Sequence, residues 1–186
     1  MFVSTCNNSI KICKYLHLQK MISDLETAIL NLNHYLQDRD KWESLLIDRY
    51  PPTIHRLSLK IGDNRTLLLH KLFNCQGQKA FMHSHSWSLA CKVVEGGYEM
   101  GVGFSNDRNI VPQATFTSIV KPGDVYEITN SNTWHYTKCA PETSHSYSIM
   151  IIGPRERERK ALNNSRLTES QRNEVFDYFD NYNLIK

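Results

Sequence analysis

The 186-residue sequence lacks any long apolar run; the longest, Ile149 to Ile152, is four residues. A membrane-spanning helix needs about 20, so insertion as a helix is excluded. Met1 to Lys20 carries Lys11, Lys14 and Lys20 but no apolar stretch of the secretory kind. We expect residues 1–20 to form a loosely ordered extension, upstream of the natural start at Met21. Charge of one sign is also scarce. Lys and Arg total 22 against 19 Asp and Glu, a net +3, and no basic stripe with interleaved aromatics occurs, so nucleic acid is not an expected partner. The densest charge run, Arg155-Glu156-Arg157-Glu158-Arg159-Lys160, mixes signs as a solvated face does. The cysteines number five, at 6, 13, 75, 91 and 139, with no CxxC pair. A disulfide framework and a tetrahedral zinc finger are therefore not expected. Reduced thiols in a cytoplasmic protein are the economical reading, and Cys75 and Cys139 read as free thiols in a turn and a loop.

What is present is enough apolar material for one packed domain: 40% AVILMFWYC against 22% charged residues. Ser23-Asp24-Leu25-Glu26 has the form of a capping box. Ile22, Leu25, Ile29, Leu32 and Leu36 follow on one helical face. A second helix is expected from Trp42 to Tyr50, stopped by Pro51-Pro52. From Thr53 the pattern becomes one of short apolar runs between turn clusters. Strands are expected at 54–61, 66–73, 79–83, 86–94, 98–104, 115–120, 125–128, 135–138 and 144–152. Strands of this length at this spacing predict an antiparallel sandwich or barrel. Thr168-Glu169-Ser170-Gln171 opens a last helix, with Val175, Phe176 and Phe179 on one face.

The sharpest chemical signal is His83-Ser84-His85, preceded by Gly77. Residues two apart on a strand share a side, so both imidazoles could aim at one ion of iron, nickel, copper or zinc. Two surface histidines flanking a serine would look the same in isolation. A second element lies downstream, where Pro122-Gly123-Asp124 precedes a strand and His135 follows eleven residues after Asp124.

Together these two elements resemble the paired motifs of the cupin superfamily over residues 54–153. The first is Gly77, His83, His85 and Gly96-Gly97; the second, matched loosely, is Pro122-Gly123-Asp124 with His135. The resemblance implies an all-β dominated, double-stranded β-helix (jelly-roll) barrel with N-terminal helices and a C-terminal helix. It divides the chain into the extension 1–20, a helical segment 21–52, the barrel 53–153 and a charged segment with helix 154–186. Where cupins usually place a glutamate ligand, this sequence has Leu89 or Ala90, which cannot ligate, and Glu95 lies too far along. The implied metal ligands are then His83, His85 and His135.

A three-histidine set is similar to that of cysteine dioxygenase and its thiol-dioxygenase relatives. That likeness implies Fe(II), dioxygen and a small-molecule substrate, a thiol-bearing amino acid or thiol carboxylate oxidised to a sulfinate. By the same likeness Arg56, 27 residues before His83, would hold the substrate carboxylate through a bidentate fork. His145 and Tyr147 would act beside the metal as catalytic groups. Cys91, six residues past His85 and one more than the family spacing, would be a candidate for a cross-link to the tyrosine. Arg56 could equally be a solvated strand residue and Tyr147 a core residue. Trp87 is either core or pocket wall, Trp134 is expected at the mouth, and His55 and His70 read as structural. The alternation of Ser144, Ser146 and Ser148 with His145, Tyr147, Ile149 and Ile151 predicts that the histidine and tyrosine face inward. Other classes left open are a non-oxidative metallo-cupin (isomerase, epimerase or lyase) and a non-catalytic small-molecule-binding barrel.

Overall fold

The structure is a computed structural model that describes residues 21–154 and 165–184, apart from residues 63, 76, 78 and 108. The extension 1–20 and the charge run 155–160 lie outside the described residues. Among the described residues no helix is long and apolar enough to cross a membrane.

Two helical pieces come first, α1 over 21–30 and α2 (Leu32–Leu36). Met21, Leu25, Ala28, Leu32 and Leu36 are buried along one face, with Ile22 and Ile29 half-buried beside them. Ser23 sits inside α1, where its carbonyl accepts from the Thr27 hydroxyl, so it is not the cap that the sequence pattern proposed. Among the described residues ten strands follow: β1 (Glu43–Ile47), β2 (Ile54–Ile61), β3 (Arg65–Phe73), β4 (His83–Ser84) and β5 (Leu89–Glu95), then β6 (Tyr98–Phe104), β7 (Phe116–Val120), β8 (Val125–Ile128), β9 (Thr133–Cys139) and β10 (His145–Ile152). The helix expected at 42–50 is instead β1, because Glu43 to Ile47 pair residue by residue with Ser58 to Ile54. Tertiary pairing overrides local propensity there. Of the expected strand 79–83, only its last residue is in a strand.

The strands form two antiparallel sheets, β1-β2-β3-β10-β5-β8 and β4-β9-β6-β7. Eight of them pair in a nested series: β6 with β7, β5 with β8, β4 with β9 and β3 with β10. This hairpin rolled into two facing sheets is the jelly roll that the sequence implied. Gly96 turns β5 into β6 at φ 76°, and a Cβ there would fall 2.3 Å from the His145 carbonyl oxygen. No other residue fits that corner.

Two cores flank the larger sheet. Between the sheets lie Leu68, Leu72, Leu89, Cys91, Val93, Ile128 and Met150, meeting Tyr98, Val120 and Cys139 of the smaller sheet. On the outer face Leu57, Leu69, Ile149 and Ile151 pack under the helices with Val175, Phe176 and Phe179, which are fully buried. Those last three belong to α3 (Glu169–Leu184), opened by a reciprocal cap: the Gln171 N–H donates to Thr168 Oγ1, and the Thr168 N–H to Gln171 Oε1.

Candidate metal centre

β4 and β9 place the histidines. His83 is directly opposite His135 in register, so both side chains stand on one face of the smaller sheet. That face is inward, since Cys139, at the same parity as His135, belongs to the inter-sheet core. His85 follows β4 by one residue. The potential ligand atoms of the three histidines lie within 4.8 Å of one another, the one such cluster of His, Cys, Asp and Glu among the described residues. The His85 and His135 Nε2 atoms are 2.8 Å apart.

The surroundings fit a bound ion. His83 Nδ1 donates to the Phe81 carbonyl at 3.0 Å; a carbonyl only accepts, which leaves the Nε2 lone pair for a metal. Fixing the tautomer by the far nitrogen is the usual way a protein orients a metal histidine. Burial, and next the neighbouring His83, push the His135 imidazole well below its ordinary pKa, so it is neutral as a ligand must be. The buried His135 Nδ1 has no hydrogen-bond partner among the described residues. The donor set is three imidazoles, suited to iron, nickel, copper or zinc. The nearest aromatic walls are Trp87, 5.3 Å from the His85 ring, and Phe81, stacked on His83 at 5.6 Å and 5°. Phe81 is in turn stacked by Tyr50 at 4.4 Å, and its N–H donates to the Pro51 carbonyl. The β1–β2 corner thus braces a candidate ligand. In the sequence this brace is marked only by the aromatic two residues before His83.

Several expected site residues lie elsewhere. His145 and Tyr147 face outward, not inward: Tyr147 stacks on Tyr178 of α3 at 3.5 Å and 2°, and His145 Nε2 is 3.3 Å from Glu95 Oε1. The expected phase of β10 is therefore corrected by one residue, and these two lose the catalytic role built on it. The small side chains of Ser146 and Ser148 are the inward ones, fully buried, with Tyr98 donating to Ser148 Oγ at 2.6 Å. The reason is volume: helices cover the outer face, so the large side chains fill the helix–sheet core.

Cys91 is in the inter-sheet core, on the opposite face of the sheet from Tyr147, so a bond between them is excluded. Its thiol is hydrogen-bonded with Tyr126 and Ser148 and is pushed up to about 11, chiefly by burial. Trp134 is buried on the face of β9 opposite His135 and does not line the site. Arg56 Nε donates to His70 Nε2 at 2.9 Å. His70 is buried and held well below its ordinary pKa, first by burial and then by Arg56. Arg56 also lines an open cleft of about 840 Å³ with Lys41, Glu43, Ser58 and Lys60. That cleft reaches Leu68 and Ile152 of the inter-sheet core but none of the three histidines.

Fold and site together define a jelly-roll barrel carrying a three-histidine cluster between its sheets. No family model matches the sequence, and no curated protein matches it. Among solved structures the chain is similar to hydroxypropylphosphonic acid epoxidase from S. wedmorenis, with 14% identity, a TM-score of 0.47 and coverage of 61% of this chain and 56% of that one. It thus spans little more than half the length of the epoxidase. It is also similar to KdgF from Halomonas sp. (20% identity, TM-score 0.43, 60% and 88% covered) and to the Clostridium difficile EutQ protein (7%, 0.42, 57% and 72%).

Proposed function

We propose that this chain is a metal-dependent cupin enzyme, an Fe(II) oxygenase that joins dioxygen to a small molecule with a polar, metal-seeking head. The single observation that carries the reading is the cluster of His83, His85 and His135 on the inner face, with ligand atoms within 4.8 Å of one another. These residues would hold the ion, which when bound supplies a redox-active Lewis acid with coordination positions left over for substrate and oxygen. The chain's own part is to orient and to exclude water. The Phe81 carbonyl fixes the His83 tautomer, Trp87 walls His85, and burial keeps His135 neutral.

A thiol carboxylate remains the first substrate to try, with both oxygen atoms added to sulfur to give the sulfinate. Its support is the three-histidine ligand set; Arg56 lines a cleft that none of the three histidines lines and adds no support. The outward Tyr147 withdraws the other half of that likeness. Facing outward, His145 and Tyr147 would not move protons at the metal of an isomerase or lyase either. The test is metal analysis of protein purified without added metal, then oxygen uptake by Fe(II)-loaded protein with cysteine, mercaptopropionate and cysteamine. We expect one metal per chain, abolished in His135→Ala, and oxygen uptake with at least one thiol acid. Full metal content in His135→Ala would refute the centre. Turnover without oxygen would refute the oxygenase.

A further inference from the structure

We infer that the substrate of this centre carries an apolar tail, which lies on an exposed lip formed by Val102, Phe104 and Phe116. The inference rests on the metal-centre reading above and specifies the class of molecule the centre takes.

The argument begins with strand register. One row of paired residues crosses the smaller sheet: His83 opposite His135, His135 opposite Val102, Val102 opposite Phe116. Directly paired residues present their side chains on the same face, so the two histidines, Val102 and Phe116 form one continuous inward-facing rung. Adjacent strands are about 4.8 Å apart, which sets Phe116 about 10 Å from His135 along the rung. Phe104, two residues beyond Val102 on the same face, is paired with Thr133 in the next rung.

Exposure along that face changes in one direction. On β6 Tyr98 is 2% exposed and Phe104 63%. On β7 Val120 is 8% exposed and Phe116 61%. Exposure of this face therefore rises from the Tyr98–Val120 end to the Phe104–Phe116 end, and the histidine rung lies toward the exposed end. Two large phenylalanines standing in solvent are unfavourable unless something covers them. What distinguishes this patch from an ordinary surface patch is its place: it begins one strand away from a candidate ligand, on the same face and in the same rung. A molecule whose head binds at the histidines can lay its tail along this rung toward Phe116. No charged side chain interrupts the rung. The chemistry selected is amphipathic, a chelating head on an alkyl or aryl tail of medium length.

The experiment uses the full chain loaded with Co(II) and a series of straight-chain acyl hydroxamates from acetohydroxamate to octanohydroxamate. Binding is followed by the visible Co(II) spectrum and by calorimetry. Full burial of a methylene gives about a fourfold gain in affinity. For a half-open lip we expect at least twofold per methylene over the first several, and an octano-to-aceto affinity ratio that falls toward one in the Phe104→Ser/Phe116→Ser double variant. Acetohydroxamate binding without any chain-length gain would overturn the lip while leaving the metal centre standing. No hydroxamate binding at all would overturn the centre itself. A length gain that persists in the double variant, or a wild-type oligomer that the double variant dissolves in light scattering, would also overturn the proposal. The latter result would assign the lip to self-association.

Discussion

Replacing Tyr147 decides the phase of β10, and with it which side chains can act at the metal. Tyr147 is 4% exposed, stacked on Tyr178 at a ring separation of 3.5 Å and set edge-on against Phe179 at 5.9 Å. Its phenol is pushed up to about 12, by burial first and then by the Glu174 and Glu95 carboxylates, so it is neutral throughout the working pH range. Truncating a buried aromatic to alanine costs about 3–5 kcal/mol. For a chain of this size each kcal/mol moves the midpoint by about 2–4 °C, so Tyr147→Ala should melt about 6–20 °C lower. The Tyr147/Tyr178 pair should show a coupling of about 0.5–1.5 kcal/mol in a double-mutant cycle to alanine, the usual value for an aromatic pair beyond its burial. Urea unfolding followed by fluorescence gives both numbers. Tyr147→Phe keeps the stack and removes only the hydroxyl, so metal content and oxygen uptake should match wild type. Loss of turnover in Tyr147→Phe with unchanged stability would refute the outward placement, and a coupling indistinguishable from zero would refute the stack.

Acid should destabilise the fold through His70 and, more weakly, His55, both held below their ordinary pKa by burial. A group with a depressed folded-state pKa takes up its proton first in the unfolded chain, so stability is intact above about 6.5 and falls as pH drops below it. The slope is at most about 1.4 kcal/mol per pH unit for each histidine. His70→Gln, which can still accept from Arg56, should flatten the dependence of melting temperature on pH between 6.5 and 5. Removal of the brace on His83 by Tyr50→Ala should weaken Co(II) binding severalfold in a competition titration, and Tyr50→Phe, which keeps the ring against Phe81, should restore it.

The features legible in the sequence were those written locally. Turn glycines and short β-branched runs marked β2, β6 and β8 to the residue, and the His-x-His spacing with a later strand histidine marked the three residues that cluster in space. Two things were not local. β1 carries three consecutive aliphatics between a tryptophan and a tyrosine, a pattern a helix would tolerate, and only its partner β2 makes it a strand. On β10 both faces are covered, with six consecutive buried residues from Ser146 to Ile151. Alternation then separates large from small rather than outside from inside. Which set faces the barrel depends on where the helices dock, and nothing within β10 encodes that.

The nested pairing has a consequence for how the chain assembles. The partners Val102 and Phe116 are 14 residues apart in sequence, Leu89 and Ile128 are 39, His83 and His135 are 52, and Thr66 and Ile152 are 86. Closing the outer pairs from an open coil would mean fixing long loops, whereas each inner pair, once made, shortens the loop that the next must close. The order of least entropic cost runs outward from the β6–β7 hairpin, and a topology so rich in distant pairings places folding on the millisecond-to-second side of small-domain rates. Until β9 docks, the chain holds only His83 and His85 near one another. The three-imidazole cluster is thus a late product of the roll, and tight metal binding reports a barrel that has already closed on itself.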